Sequence, residues 1–194
     1  YTFSMLLENH TVQWNKTYDS ESKKLPLFCV SDGNEIVIVG YKLNESSETQ
    51  NIFVMRIDYH GESLWDFIYS SEEESYPICA AIDNSGNIFI GFLSAVISGS
   101  DYTYSSGLLK IQSDGTFMWN KTIFSFDLDT YYYEEYQNLI IQGIGCYGSN
   151  VYVAFGNKLL RYDSFGGAVW QKDCSIQAFS MDSLGGFFTF ETVH

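Results

Sequence analysis

The chain has 194 residues and carries 24 acidic against 10 basic side chains, a formal net charge of −14. A surface this acidic repels phosphate backbones and anionic lipid head groups, so nucleic acid and membrane surfaces are poor partners for it. Aromatic residues make up 18% of the chain and only 2 residues are prolines, which suits twisted sheets filled by large side chains. The most apolar run, residues 88–97, is too short to cross a bilayer, and we predict no transmembrane segment in this chain.

Tryptophans at intervals of 51, 54 and 51 residues mark a repeat of about 50 residues. They are Trp14, Trp65, Trp119 and Trp170. In the last three copies an apolar run leads into a basic residue and then into a turn, whose glycine lies four positions before the tryptophan. These glycines are Gly61, Gly115 and Gly166, and the first copy has His10 instead. Such a repeat, with strand-like segments inside it, predicts an all-β β-propeller with one four-stranded antiparallel sheet, or blade, per repeat.

Each repeat contains two predicted hairpins. In the second repeat we expect strands over 53–59 and 63–69 around Gly61, and over 76–83 and 87–93 around Gly86. Alternation of apolar and polar residues and glycine-containing turns support both hairpins. The equivalent inner hairpins are expected over 25–40, 139–155 and 176–190.

This strand order leaves an outer hairpin at the start of the chain and an inner hairpin at its end, each without a partner. Either the two meet in a split blade and close a four-bladed ring, or the chain is an arc of a larger propeller. In both cases residues 1–194 form a single propeller domain or propeller fragment. We expect each tryptophan on the outermost strand of its blade, packed between neighbouring sheets.

Four Asn-x-Ser/Thr sequons indicate the compartment, because chance supplies about one in a chain of this length. They begin at Asn9, Asn15, Asn44 and Asn120. Asn15 and Asn120 directly follow a tryptophan, so they point away from the face that the tryptophan buries. The sequence therefore predicts an exported, N-glycosylated protein of the extracellular space or cell surface.

Signatures of catalysis and of bound cofactors are sparse. The four cysteines have no CxxC spacing, so no zinc site is predicted. The sequence allows two alternatives for them, at least one disulfide or buried free thiols. None of the three histidines has metal-ligand spacing or a nucleophile partner, and no cofactor is predicted. Asp127 and Asp129 form a weak calcium candidate, because clustered carboxylates supply hard oxygen ligands.

The links at one end of the predicted blades are long, whereas the glycine turns at the other end are tight. We expect these links over 42–50, 70–75, 93–106 and 125–137, the last enlarged by an insertion at 127–137. Long loops on a rigid frame are where propellers usually bind. The predicted binding face comprises Asp101, Tyr102, Tyr104, Tyr131, Tyr132, Tyr133, Glu134 and Glu135. Its carboxylates and tyrosines suit a basic protein or a glycan.

Two segments resemble a known repeat. They are LKIQSDGTFMWNKT at 109–122 and IDNSGNIFIG at 82–91, and both look like the SBBP-type β-propeller repeat of exported and surface proteins. The chain is also similar to the quinoprotein-type repeat, whose Asp-to-Trp spacing is one residue longer than that from Asp58 to Trp65. The resemblance implies a propeller fold and export, but no single activity.

These observations favour a non-enzymatic module that binds a protein or glycan, or that self-assembles into a surface layer or filament. The alternative is a glycan-processing enzyme, a lyase or hydrolase, that uses paired carboxylates on the long-loop face.

Overall fold

A computed structural model describes residues 2–6, 12–18, 23–44, 49–71, 74–98, 101–127, 140–174, 176, 179–181 and 185–189. Within these residues the protein is all-β, with no helix. The first hairpin consists of β1 (Thr2–Leu6) and β2 (Val12–Thr17). The last hairpin consists of β15 (Phe179–Met181) and β16 (Phe187–Thr189).

Three four-stranded antiparallel sheets lie between these hairpins, each made of four consecutive strands. Sheet I contains β3 (Lys24–Ser31), β4 (Glu35–Leu43), β5 (Gln50–Asp58) and β6 (Ser63–Tyr69). Sheet II contains β7 (Glu74–Ile82), β8 (Ile88–Ser98), β9 (Asp101–Ile111) and β10 (Phe117–Asp127). Sheet III contains β11 (Ile141–Tyr147), β12 (Asn150–Phe155), β13 (Lys158–Tyr162) and β14 (Ala168–Asp173). The predicted strand order is confirmed, including the unpartnered hairpins at the two ends, which form separate sheets in the described residues.

The same two irregularities recur along the sheets. In the first strand of sheets I and II the register shifts just after a proline, at Pro26 and at Pro77. A proline cannot donate to the ladder, so a bulge on an edge strand of the sheet is a position that tolerates it. A second shift follows the residue that pairs with the tryptophan, for example Arg56, which lies opposite Trp65. The repeat is therefore one of local geometry as well as of sequence.

The turns between the third and fourth strands of sheets I and III are built by an aspartate and a glycine, and in sheet II Gln112 takes the place of the aspartate. After β5, the Asp58 carboxylate accepts hydrogen bonds from the backbone N–H groups of His60 and Glu62, at 2.8 and 2.7 Å. Gly61 has a φ of 75°, a conformation that is unfavourable for any residue with a side chain. Asp163 accepts two backbone bonds in the same way in sheet III.

The sheets stack face to face, with apolar clusters between them. One cluster joins sheet I to sheet II around Val54 and Ile90, and a second joins sheet II to sheet III around Phe89 and Val153. Middle strands such as β5 are buried on both faces. The first strands contact each other in series, β3 with β7, β7 with β11 and β11 with β15.

Each tryptophan of the first three repeats reaches into the turn of the following repeat. Trp65 Nε1 donates to the Ser113 carbonyl at 3.0 Å, and the position of a Cβ on Gly115 lies 3.0 Å from the Trp65 ring. Equivalent bonds join Trp14 to the Tyr59 carbonyl and Trp119 to the Ser164 carbonyl, at 2.8 and 3.3 Å. For these three residues the predicted packing of tryptophan between sheets is confirmed.

The basic residue opposite the tryptophan binds the same turn. Arg56 is 4% exposed, and its guanidinium donates to the carbonyls of Gly86 and Ser113 in sheet II, at 2.7 and 3.4 Å. It also pairs with the carboxylates of Asp32, at 2.7 Å, and Glu35 in its own sheet. Lys110 is 5% exposed and donates to the Ser164 carbonyl at 2.8 Å. We use the name seam for the contacts that a tryptophan and the basic residue opposite it make with the turns of the following repeat.

The pKa of Asp32 reflects its place in the seam. Burial alone would raise this pKa, but hydrogen bonds from the backbone N–H groups of Asn34 and Glu35, together with the Arg56 charge, lower it below the usual value. The carboxylate is therefore held in its ionised form beside the guanidinium.

One predicted link is wrong. Residues 93–106 were expected as a loop, but β8 runs to Ser98 and β9 starts at Asp101, so most of this segment is strand. The links before β5 and after β10 are also shortened, because β4 extends to Leu43 and β10 to Asp127. Branched and aromatic residues such as Val96, Thr103 and Tyr104 continue the strand pattern, and pairing with β10 gives this hairpin a third strand.

Candidate binding surface

Sheet II is longest at the end opposite the glycine turns. Counted from the seam residue on the third strand, β9 extends nine residues from Lys110 to Asp101, whereas β5 extends six from Arg56 to Gln50 and β13 only three from Arg161 to Lys158. At about 3.3 Å per residue, this end of sheet II is about 10 Å longer than that of sheet I and about 20 Å longer than that of sheet III. We call the end formed by residues 93–98, 101–106 and 122–127 the extended edge.

The predicted binding residues fall partly on this extended edge. Asp101 and Tyr102 lie on β9, and only their backbone is described. Tyr104 is half-buried and lies opposite Ala95 on one side and Phe126 on the other. The other predicted residues, Tyr131, Tyr132, Tyr133, Glu134 and Glu135, lie outside the described residues.

The start of the predicted insertion lies at the expected end of the molecule. Asp127, the last residue of β10, pairs with Thr103 of β9, next to the β8–β9 turn. Strand β10 therefore ends at the extended edge, as the strand order predicts. Only the backbone of Asp127 is described and Asp129 lies outside the described residues, so the calcium candidate is untested. The described residues contain no group of three or more His, Cys, Asp or Glu side chains that could hold a metal ion.

Hydroxyl groups dominate the described side chains of the extended edge. The hydroxyls of Ser105 and Ser125 lie 2.8 Å apart across β9 and β10. Ser94 and Ser106 are buried, and Val96 is exposed on the edge of β8. The rigid, paired backbone holds these groups in fixed positions, which lowers the entropy cost of binding.

A polar cavity of about 240 Å³ lies between sheets I and II beside the extended edge. The Asn120 amide donates to the Tyr69 hydroxyl in its wall. The Tyr69 ring lies 5.8 Å from that of Phe92 and stacks on Phe117 at 6.3 Å. Aromatic rings beside hydroxyl and amide groups provide both apolar contact and hydrogen bonds, which is the general chemistry of small-ligand recognition.

Sheet I adds a basic group to this end of the molecule, which the sequence analysis missed. Lys24 and Lys42 lie directly opposite each other on β3 and β4, and Lys23 precedes β3. Like charges at such a position are unfavourable, and Lys24 is compensated by Asp66 at 3.3 Å and by the Phe53 ring at 5.8 Å. The described residues at the end of the sheets opposite the glycine turns therefore carry both positive and negative charges. The adjacent lysines at 23 and 24, in an otherwise acidic chain, were a sequence signal for this basic group.

Three predicted glycosylation sites lie at exposed positions. Asn15 and Asn120 are exposed on β2 and β10, and Asn44 is exposed just after β4. Asn9 lies outside the described residues. Exposure is what glycan attachment requires, and the modification itself stays a prediction.

The cysteines are all free thiols in this structure. Burial raises the pKa of Cys79 to about 12, and burial also raises the pKa of Cys146. Both thiols lie on first strands between sheets II and III and are therefore protonated and unreactive. Cys29 is a free thiol and exposed, so the expectation of a disulfide or a buried thiol is wrong for this residue.

The sequence has no match among protein-family models and none among curated proteins. Within the described residues no helix has the length and apolar character to cross a membrane.

Proposed function

We propose that the protein is an extracellular or cell-surface, non-enzymatic module built from SBBP-type β-propeller repeats. It binds a protein or glycan partner through the end of the sheets that carries the extended edge, or assembles there into a surface layer or filament. The observation that carries this proposal is the extended edge itself, a three-stranded projection that the seams do not use and that meets the apolar core through Ile123 and Phe124.

A propeller arrangement is supported by the order of contacts between sheets. The first strands of successive sheets contact each other, and the tryptophan strands lie at the opposite edge of each sheet. A radial array of sheets requires this arrangement, with the first strands at its centre. Leu25 and Leu27 on β3 are 46% and 42% exposed, which favours an open arc over a four-bladed ring because a closed ring would cover them.

Binding at the extended edge is supported by its chemistry. Tyr104 offers a large contact area at a low entropy cost, and the serine hydroxyls and the cavity beside Tyr69 add hydrogen-bonding groups. The mixed charge nearby, from Lys42 to Glu74, suits partners that carry both polar and charged groups.

Binding is tested with the fluorescently labelled chain on a printed array of microbial and host surface glycans and on immobilised extracellular proteins. The Tyr104→Ala variant should weaken the signal about tenfold, the size of a single interface hot spot. The matched control is Tyr59→Ala, which removes an equally large, 42% exposed ring at the opposite end of the sheets. Equal loss in both variants, or unchanged binding by Tyr104→Ala, would contradict the proposed surface.

Export is tested separately by the intact mass of the protein from its natural source before and after enzymatic deglycosylation. Loss of mass that maps to Asn15 and Asn120 is expected. Unmodified asparagines at both positions would contradict export through a glycosylating pathway.

A further inference from the structure

A second cavity lies on sheet I, at the end of the sheet opposite its glycine turns. Its volume is about 490 Å³, and its lining includes Lys23, Lys42, Asn51, Ile68 and Ser70. A volume of this size is within the range of small-ligand sites in proteins. Most of these side chains are polar and two are positively charged, so we call it the basic cavity.

The register of sheet I places the polar groups of the basic cavity on one face. Lys24, Lys42 and Asn51 lie directly opposite one another on β3, β4 and β5. Phe53 lies two positions after Asn51 and therefore shares its face of the sheet. Phe53 packs in the cluster that includes Trp14 of the first hairpin. The basic cavity therefore lies on the face of sheet I that points away from sheet II, and it is a different surface from the extended edge.

Asn51 contributes a buried amide to the basic cavity. The residue is only 8% exposed, and among the described residues its side chain has no hydrogen-bond partner. Buried polar side chains are nearly always hydrogen-bonded, and one without a partner costs free energy. Because the Asn51 side chain lines the cavity, a ligand bound there can supply the partner that the fold does not.

The lysines of the basic cavity carry charge that sheet I does not neutralise. Lys24 is compensated by Asp66 and by the Phe53 ring. In the part of the chain that the structure describes, neither Lys23 nor Lys42 forms an ion pair. Like charges on directly opposite residues, here Lys24 and Lys42, destabilise a sheet. An anion bound in the cavity would offset this repulsion.

The charge of the whole chain limits the ligand to one with few negative charges. A net charge of −14 repels a polyanion at long range, whereas two lysines in a cavity can bind a single carboxylate through charge-assisted hydrogen bonds. The Asn51 amide and the Ser70 hydroxyl suit the hydroxyl groups of a ligand, and Ile68 provides apolar contact. Together these groups match a sugar that carries one carboxylate.

We infer that the basic cavity binds an acidic sugar, a saccharide unit with one carboxylate group. Lys23 and Lys42 bind the carboxylate, and the side chains of Asn51 and Ser70 bind the ring hydroxyls. This inference goes beyond the proposed function, because it assigns a second site with its own ligand class and uses no residue of the extended edge.

Titration of the full chain with glucuronate, followed by NMR spectra of the backbone amides, provides the test. The chain is produced in a host without N-glycosylation, because the exposed Asn44 also lines the cavity and a glycan attached to it would occupy the opening. Glucuronate should shift the amide signals of Leu43 and Asn51. Glucose, its neutral counterpart, and acetate, the carboxylate without the sugar ring, should each bind about tenfold more weakly or less.

Substitutions in the basic cavity separate charge from a general loss of structure. Lys42→Gln should weaken glucuronate binding about tenfold, and Lys23→Gln, at an exposed position where the fold is not at risk, about threefold. Asn51→Asp has the same size and should abolish binding, because the new carboxylate takes the place of the ligand's beside Lys42. Lys172→Gln is the matched control, since it removes an exposed lysine from β14 with the same change of net charge and should leave binding unchanged.

Absence of glucuronate binding, or equal affinity for glucuronate and glucose, would overturn the inference. Unchanged binding by both Lys42→Gln and Lys23→Gln would do the same. An acetylated dipeptide with a free carboxyl terminus that bound as tightly as glucuronate would identify a peptide site instead of a sugar site. The amide signals of Thr103 and Ser105 report on the extended edge. A glycan that shifted only these signals would support the proposed function and contradict the assignment of the basic cavity.

Discussion

The seams at Trp119 and at Trp170 come from nearly the same sequence and have different surroundings. Trp119 donates to the Ser164 carbonyl, and its partner Lys110 is buried and bonds to the same carbonyl. Trp170 and Arg161 have the same register, yet no following turn covers them in the described residues. The difference shows that the repeat phrase supplies one half of the seam and the next repeat supplies the other.

The carboxylates beside the basic residue differ between sheets I and III as well. Arg56 pairs with Asp32 and Glu35, whereas Arg161 donates to the neutral Asn150 amide at 3.1 Å, on the strand position equivalent to Glu35. A covered guanidinium thus has charged partners, and an uncovered one has a neutral partner. This agrees with the high cost of burying an unpaired charge.

The largest expected effect is the loss of a covered tryptophan. Trp119→Ala should lower the free energy of unfolding by about 3 kcal/mol, because it removes a ring packed between sheets II and III and leaves a cavity. Trp170→Ala should cost about 1 kcal/mol, because among the described residues its ring contacts its own sheet and the last hairpin but no following turn. Urea unfolding, at concentrations where the chain is monomeric, measures both, and equal losses would contradict the comparison.

Loss of the basic residue should follow the same order with a smaller effect. Arg56→Met should cost about 2 kcal/mol, since it leaves two partly buried carboxylates and two turn carbonyls without their donor. Arg161→Met removes one bond to an amide and should change the free energy of unfolding by less than about 1 kcal/mol. Thermal unfolding of both variants measures whether the two losses of stability differ as expected from the contact of Arg56 with the following sheet.

Substitution of turn glycines separates packing in the seam from backbone strain. Gly115 and Gly33 have φ values of 90° and 96°, so alanine costs roughly 1 kcal/mol at either position. A Cβ at Gly115 also lies 3.0 Å from Trp65, whereas at Gly33 it meets no atom within 4 Å. Gly115→Ala should therefore be the more destabilising of the two. Identical melting temperatures would show that the Trp65 ring moves away from the added Cβ without loss of stability.

The smallest effect concerns pH. The folded state lowers the pKa of Asp32, so its contribution to stability is present above the unfolded pKa of about 3.9 and is lost as the pH falls through the lower folded value. Asp32→Asn should be less stable than wild type at neutral pH, and the gap should narrow below about pH 4. Asn150→Ala in sheet III removes a neutral partner and should give a difference from wild type that does not vary with pH over this range.

The fold could be predicted from the sequence where local chemistry decides it. The glycine-containing turns, the alternating strands and the tryptophan spacing placed every sheet, because the turns fix the register of each hairpin. The seam bonds could not be predicted, since they join a side chain to a backbone carbonyl about one repeat later. The segment around Val96 and Tyr104 was misjudged because its polar residues were read as loop, although pairing with β10 satisfies their backbone groups.

The candidate binding surface was predictable in location rather than in detail. Strand order alone placed the β8–β9 turn and the start of the segment after β10 at the same end of sheet II. The lysines at 23, 24 and 42 could not be grouped from the sequence, because their proximity depends on the β3–β4 register.

The seam also sets an order of events during synthesis. For Trp14, Trp65 and Trp119, the carbonyl that accepts the indole N–H lies 45 to 48 residues further along the chain. The tryptophan therefore cannot form this bond until the turn of the next repeat has been synthesised, which takes a few seconds at ribosomal speed. Until then the tryptophan ring, and in sheets I and II the basic side chain opposite it, are exposed to solvent and to chaperones. Each newly synthesised repeat buries these side chains of the repeat before it.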